Sequence, residues 1–139
     1  MTAAAEFDLI AAIQQRLPQA DDEQLLLGIG DDAAIIQPAA GEQLVISTDT
    51  MNAGVHFFPD DNPADSGHKL VAVNLSDLAA MAANPRWCLL NLSLPADWNA
   101  AQRSDWLNAL LDGMLPIMRQ HNLQLIGGDT TSGLLSLTM

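Results

Sequence analysis

Asp65-Ser66-Gly67-His68-Lys69-Leu70-Val71-Ala72-Val73-Asn74-Leu75-Ser76-Asp77-Leu78-Ala79-Ala80-Met81-Ala82-Ala83 is the stretch whose reading decides how this chain folds. Asp65 or Ser66 can cap a helix that runs to Ala83. From Leu70 to Ala82 only Asn74, Ser76 and Asp77 interrupt the apolar run. A helix apolar nearly all round is a buried one, so other elements must cover it. Asp77 then poses the sharpest question, because an ionised carboxylate in apolar surroundings is costly unless a cation or a set of donors meets it. Either a neighbouring loop satisfies Asp77 or it ligates a metal. Asn74, one turn earlier on the same face, suits both. Lys69, two turns before Asp77, is a candidate phosphate contact.

On the N-terminal side, residues 6–17 place Phe7, Ile10, Ala11, Ile13 and Leu17 near a 3.6-residue period, and Pro18 ends that helix. Asp21-Asp22-Glu23 reads as a solvated loop. Residues 25–27 and 33–36 read as short strands around Gly28-Ile29-Gly30-Asp31-Asp32, and residues 43–49, with Val45 and Ile46 at the centre, as a longer strand. Residues 51–63 form a loop that carries Gly54-Val55-His56-Phe57-Phe58. A histidine beside aromatics is either a packed ring or a functional one.

On the C-terminal side, residues 87–94 predict a strand closed by Pro95. Residues 100–121 predict a helix with the stripe Trp106, Leu107, Leu110, Leu111, Met114 and Met118, kinked or broken at Pro116. Strands follow at 123–126 and 134–139, the second stopping with no polar tail, which reads as a fragment of a longer chain. The order predicts an α+β fold, a sheet with helices packed on one face, and a single domain spanning residues 1–139.

Four aspartates sit beside small, hydroxyl or glycine residues: Asp32 in Gly30-Asp31-Asp32, Asp49 in Ser47-Thr48-Asp49-Thr50, Asp77 in Asn74-Leu75-Ser76-Asp77, and Asp129 in Gly127-Gly128-Asp129-Thr130. Oxygen ligands of this kind suit Mg²⁺, which takes carboxylates, waters and substrate phosphates. Zinc calls for more His and Cys than three histidines and one cysteine provide. Gly127-Gly128 lets backbone N–H groups approach a phosphate. Asp31 and Asp32 diverge on an extended chain, so Asp32 is the ligand candidate, while Asp31 either supports the ligands from behind or stabilises the turn. By the same alternation Ser47 and Asp49 point one way along a strand and Thr48 the other. Neither a P-loop nor a protein-kinase catalytic loop is present.

A net charge of −12, from 17 acidic and 5 basic residues, argues against nucleic-acid and anionic-membrane partners. Apolar residues make up 49% and charged residues 16%, which excludes a disordered chain. The N-terminus lacks a signal-peptide pattern and no run reaches membrane-spanning length, so a cytoplasmic protein is expected. One cysteine, Cys88, excludes an intrachain disulfide.

With Gly54-Val55-His56-Phe57 added, these motifs stand in the order and near the spacing of the N-terminal half of bacterial thiamine-monophosphate kinase, which the chain resembles from about residue 6 onward. Gly-Asp-Asp and Asn-x-x-Asp are shared with a wider superfamily that includes aminoimidazole ribonucleotide synthetase, selenophosphate synthetase and a hydrogenase-maturation enzyme. The Ser-Thr-Asp-Thr and Gly-x-His-Phe pieces favour the kinase. The resemblance implies an N-terminal domain of the aminoimidazole ribonucleotide synthetase-like type. It implies transfer of the γ-phosphoryl group of ATP onto thiamine phosphate, in line and without a phosphoenzyme. By motif position it makes Asp32, Ser47, Thr48, Asp49, Asp77 and Asp129 ligands of Mg²⁺, lays Gly128 and Asp129 against ATP, and gives His56 to thiamine phosphate. It implies a homodimer formed through the sheet. The family is about twice as long, and its second domain, with further ligands, is absent here, so the fragment alone is expected to be inactive. The position near Leu111 is often aromatic in that family and packs near the nucleotide; here it is aliphatic. The rival readings are another ATP-using member of the superfamily with a different acceptor, and a non-catalytic dimerising module that binds metal and nucleotide.

Overall fold

The computed structural model describes residues 3–17 and 22–139, with side chains from residue 7 onward in the first helix. The elements are α1 (Ala3–Arg16), β1 (Leu25–Leu27), β2 (Ile35–Ile36), β3 (Thr50–Asn52), α2 (Pro63–Ala80), β4 (Trp87–Pro95), α3 (Ala100–Gln120), β5 (Gln124–Gly133) and β6 (Ser136–Thr138). Strands β3-β6-β4-β5 form one sheet and β1-β2 a separate ribbon. β5 runs parallel to β4, a pairing that needs a crossover connection, here supplied by α3, while β6 returns antiparallel on the other side of β4. The mixed sheet with helices confirms the expected α+β class.

Alternation along β4 shows which face the helices cover. Leu90, Leu92 and Leu94 are buried, whereas Leu89 and Asn91 are exposed. The buried leucines join Met51 and Leu137 from β3 and β6, and Leu70, Val71, Leu107, Leu110, Leu111 and Met114 from α2 and α3, in one core. Leu111 belongs to that core, 1% exposed. On the open face the register sets Thr50, Thr138, Asn91 and Asp129 in one row across the four strands. Thr50 Oγ1 and Thr138 Oγ1 share a hydrogen bond of 2.8 Å there.

Helices α2 and α3 pack nearly backbone to backbone, through a glycine on each. A Cβ at Gly113 would stand 1.8 Å from the Ala64 carbonyl oxygen, and one at Gly67 would stand 2.2 Å from that of Leu110. Alanine at Gly113 gains about 1 kcal/mol of helix propensity. It also forces the helices apart over the Leu70–Met114 core, which costs about 3 kcal/mol. Overpacking wins, and urea unfolding of Gly113→Ala should show a net loss of about 2 kcal/mol. An unchanged or raised midpoint would contradict this crossing.

Several sequence expectations are corrected. Asn62, not Asp65 or Ser66, caps α2, its side chain accepting the Ala64 N–H, with Pro63 filling the first turn. Helix α2 is buried only along part of its length. Ser66, Gly67, Leu70, Val71 and Asn74 are covered, but the last turns extend past α3, leaving Asp77 exposed and Met81 66% exposed. Residues 43–48 join no strand: no segment among the described residues pairs with their N–H and C=O groups, and β3 begins only at Thr50. The 51–63 loop begins inside β3, and Phe7, assigned to the packed face of the first helix, is 67% exposed while Leu9 and Ile13 are buried. Helix α3 runs unbroken through Pro116, which is exposed.

Asp22 is not solvated; its side chain is 7% exposed. It accepts from the Arg86 guanidinium and from Trp87 Nε1 and so ties the segment before β1 to β4. Pro18 and Asp21 lie outside the described residues. On β4, Cys88 donates its thiol toward the Gln124 carbonyl oxygen at 3.5 Å, and burial pushes that thiol up to about 12.

Candidate functional site

The Gly28–Ala34 loop is the bend between β1 and β2, whose ladder pairs Leu25 with Ile36 and Leu27 with Ile35. Gln14 of α1 donates to the Ile29 carbonyl oxygen at 3.0 Å and tethers the loop to the first helix. Gly30 takes a φ of 123°, a conformation open to glycine. Asp31 Oδ1 accepts the Asp32 N–H at 2.8 Å, a contact within the turn, and Asp32 is exposed.

Residues far apart in sequence meet at the C-terminal half of α2. Ser47 Oγ donates to Asp77 Oδ2 at 2.8 Å, across thirty positions of chain. Asp49 exchanges both backbone hydrogen bonds with Met139, at 3.0 and 3.1 Å, and so fixes where the Ser47-Thr48 segment leaves the sheet. Ser47 and Thr48 are exposed and Asp49 half-buried. Asp129 lies on β5 opposite Asn91, and Gly128 opposite Leu90. β5 is an edge strand, so alternate peptide groups around Gly127–Thr130 face outward with no partner strand among the described residues. Thr130, by contrast, is buried.

His56 sits in the tight turn after β3, where the Val55 and His56 N–H groups both donate to the Asn52 carbonyl oxygen. Its ring accepts the Asn52 N–H on Nδ1 at 3.0 Å, and its own carbonyl oxygen receives Lys69 Nζ. Asn91 was not singled out by the sequence reading; only register puts it beside Asp129.

Among the described residues, no three His, Cys, Asp or Glu side chains converge on one point. The predicted ligands are therefore distributed, with Ser47 and Asp77 the pair brought into contact. Their chemistry fits Mg²⁺. Two adjacent corners of an octahedron with Mg–O bonds near 2.1 Å are about 3.0 Å apart, so two oxygens already joined by a hydrogen bond of 2.8 Å, Ser47 Oγ and Asp77 Oδ2, would need to part only slightly to share a cation. Exposure of the set leaves room for waters and phosphate oxygens to complete such a shell. A cavity of about 390 Å³ lined by Asp22, Arg86, Asn122 and Gln124 contains none of these residues.

The sequence is 47% identical over 137 residues to thiamine-monophosphate kinase of Escherichia coli strain K12, covering 99% of this chain and 40% of that protein. The chain thus spans about two fifths of the length of the curated relatives it matches. Its fold is similar to the crystal structure of thiamine-monophosphate kinase from Stenotrophomonas maltophilia K279a, with a TM-score of 0.76 and 48% identity, over 99% of this chain and 40% of that one. It is also similar to a structure described as AaThiL complexed with AMPPCP and TMP, with a TM-score of 0.65 and 25% identity, over 99% and 41% of the two chains. The family described as AIR synthase related protein, N-terminal domain, matches residues 30–139. The chain belongs to that family.

Proposed function

We propose that this chain is the N-terminal, metal- and nucleotide-binding part of a kinase that transfers the γ-phosphoryl group of ATP to thiamine phosphate, giving thiamine diphosphate. A phosphate oxygen of the acceptor attacks the γ-phosphorus in line, the bond to the β-phosphate bridging oxygen breaks, and ADP leaves with the electron pair. Mg²⁺, when bound, neutralises charge on the phosphates. Asp32, Ser47, Thr48, Asp49, Asp77 and Asp129 are the residues that would hold it. Gly128 and Asp129 lie against ATP, and His56 against thiamine phosphate. The observation that carries this reading is the contact between Ser47 and Asp77, which joins two distant motifs through oxygen donors suited to Mg²⁺. The relatives' names support the acceptor.

A homodimer through the sheet belongs to the same reading. Residues 43–48 lie beyond the start of β3 without strand partners, and Leu44, Val45 and Ile46 are 47%, 40% and 85% exposed. A second copy pairing there would satisfy their backbone and cover their side chains. With a net charge of −12 and, among the described residues, no helix long and apolar enough to cross a membrane, nucleic acid and membrane are left out of the proposal and a cytoplasmic setting is kept.

The distributed carboxylates favour one second reading, a module that binds metal and nucleotide but is catalytically silent by itself. A phosphoryl-transfer assay of the intact protein with Mg·ATP separates the readings. Thiamine phosphate should be converted to thiamine diphosphate, with the acceptors of the related enzymes left untouched. Transfer to another acceptor, or none, overturns the proposal.

A further inference from the structure

Four of the five basic side chains have no part in the candidate site. Arg16 pairs with Asp112. Arg86 pairs with Asp22 and lies over the Trp87 ring. Arg103 is buried against the Trp98, Pro95 and Ala96 carbonyl oxygens and Ser132 Oγ. Arg119 is exposed in the last turn of α3. Lys69 is different. Asp65 lies four positions earlier on α2, the spacing at which helix ion pairs form, yet no Asp65–Lys69 pair is made. The ammonium instead reaches out of the helix to the His56 carbonyl oxygen at 2.5 Å.

We infer that Lys69 is a positioning residue that sets the orientation of the His56 imidazole; this rests on the proposed role of His56 at thiamine phosphate. The turn is held at two atoms of one residue. Asn52 N–H donates to Nδ1, and Lys69 Nζ donates to the main-chain oxygen. An Nδ1 that accepts must carry a lone pair, so in the neutral ring the proton is on Nε2. His56 is exposed, and with Nδ1 engaged, Nε2–H is the ring nitrogen left to meet a ligand. It acts as a donor, the polarity that a phosphate oxygen requires. Without the Lys69 clamp the carbonyl is released, the 52–56 turn loosens, and the ring is no longer held with Nε2–H outward.

Substitution in the intact protein tests this. Lys69→Met should raise the KM for thiamine phosphate about tenfold while kcat and the KM for ATP stay within about twofold, and Lys69→Arg, which keeps a donor of similar reach, should recover most of the loss. A general structural role would move both KM values together, and that result, or an unchanged thiamine phosphate KM, overturns the inference. The ¹H–¹⁵N spectrum of the His56 ring needs no acceptor. It should show the Nε2–H tautomer in the parent protein and a mixture of tautomers in Lys69→Met. An Nδ1–H ring, or identical spectra in the two proteins, overturns the inference. If the parent protein fails to phosphorylate thiamine phosphate, the kinase reading falls, and the ring spectra still decide whether Lys69 orients His56.

Discussion

Alanine at Asp77 or at Asp49 in the intact protein should remove magnesium-dependent ATP binding, with affinity falling about a hundredfold. Asp77 is exposed near the end of α2, with Ser47 Oγ as its hydrogen-bond partner. Its removal therefore leaves no cavity, and in a chain of net charge −12 it relieves repulsion rather than adding to it. Stability should stay within about 0.5 kcal/mol, so lost binding can be assigned to the lost ligand. Ser47→Ala removes a neutral oxygen and should cost less, about tenfold. Calorimetry with ATP, with and without Mg²⁺, measures all three. Unchanged Mg·ATP affinity in both aspartate variants would remove these residues from the site.

Gly128→Ala should be the more damaging change to the fold around the site. Gly128 has a φ of 148°, and a Cβ there would stand 1.9 Å from the Leu90 carbonyl oxygen. That oxygen belongs to the backbone of β4 and cannot swing aside as a side chain would. The β4–β5 ladder must open where Leu90 faces Gly128, one pair before Asn91 and Asp129. Strain at a positive φ and overpacking together predict a loss of about 3 kcal/mol in urea unfolding. Amide exchange along β5 should rise, and ATP affinity should fall with the displacement of Asp129. A variant with parent-like unfolding and exchange would show that β5 tolerates a side chain at this point.

These effects differ in how far the sequence alone could reveal them. Strand β4 and helix α3 were legible almost to their ends, because leucines at alternate and at helical spacing mark one face each, and Asn99 with Gln102 closes a capping box. The Gln43–Asp49 stretch misled for a physical reason. β-branched residues report a preference for pairing, but pairing also needs a partner, and none of the described residues pairs with 43–48. Asp77 misled differently. Ala79, Ala80 and Ala82 count as apolar, yet they are small enough to remain exposed where a helix outruns its cover. The Asn62-Pro63 pair was a readable helix start that the cap candidates Asp65 and Ser66 just after it obscured. Gly67 and Gly113 look in sequence like mere weak points of two helices, and only the crossing shows that they allow it. For the site, motif order identified candidate residues, while contact between Ser47 and Asp77 and the turn clamp on His56 depend on tertiary placement.

Cys88 makes β4 observable in solution. Only the thiolate reacts with alkylating reagents, and at pH 8 a thiol pushed up to about 12 by burial is far less ionised than the ordinary thiol of an opened strand. The chain has no other cysteine, so every labelling event reports the same location. The labelling rate is therefore a built-in clock for separation of β4 from β5. A bound nucleotide that bridges Asp129 to the rest of the site should slow that clock, with no probe added to the protein.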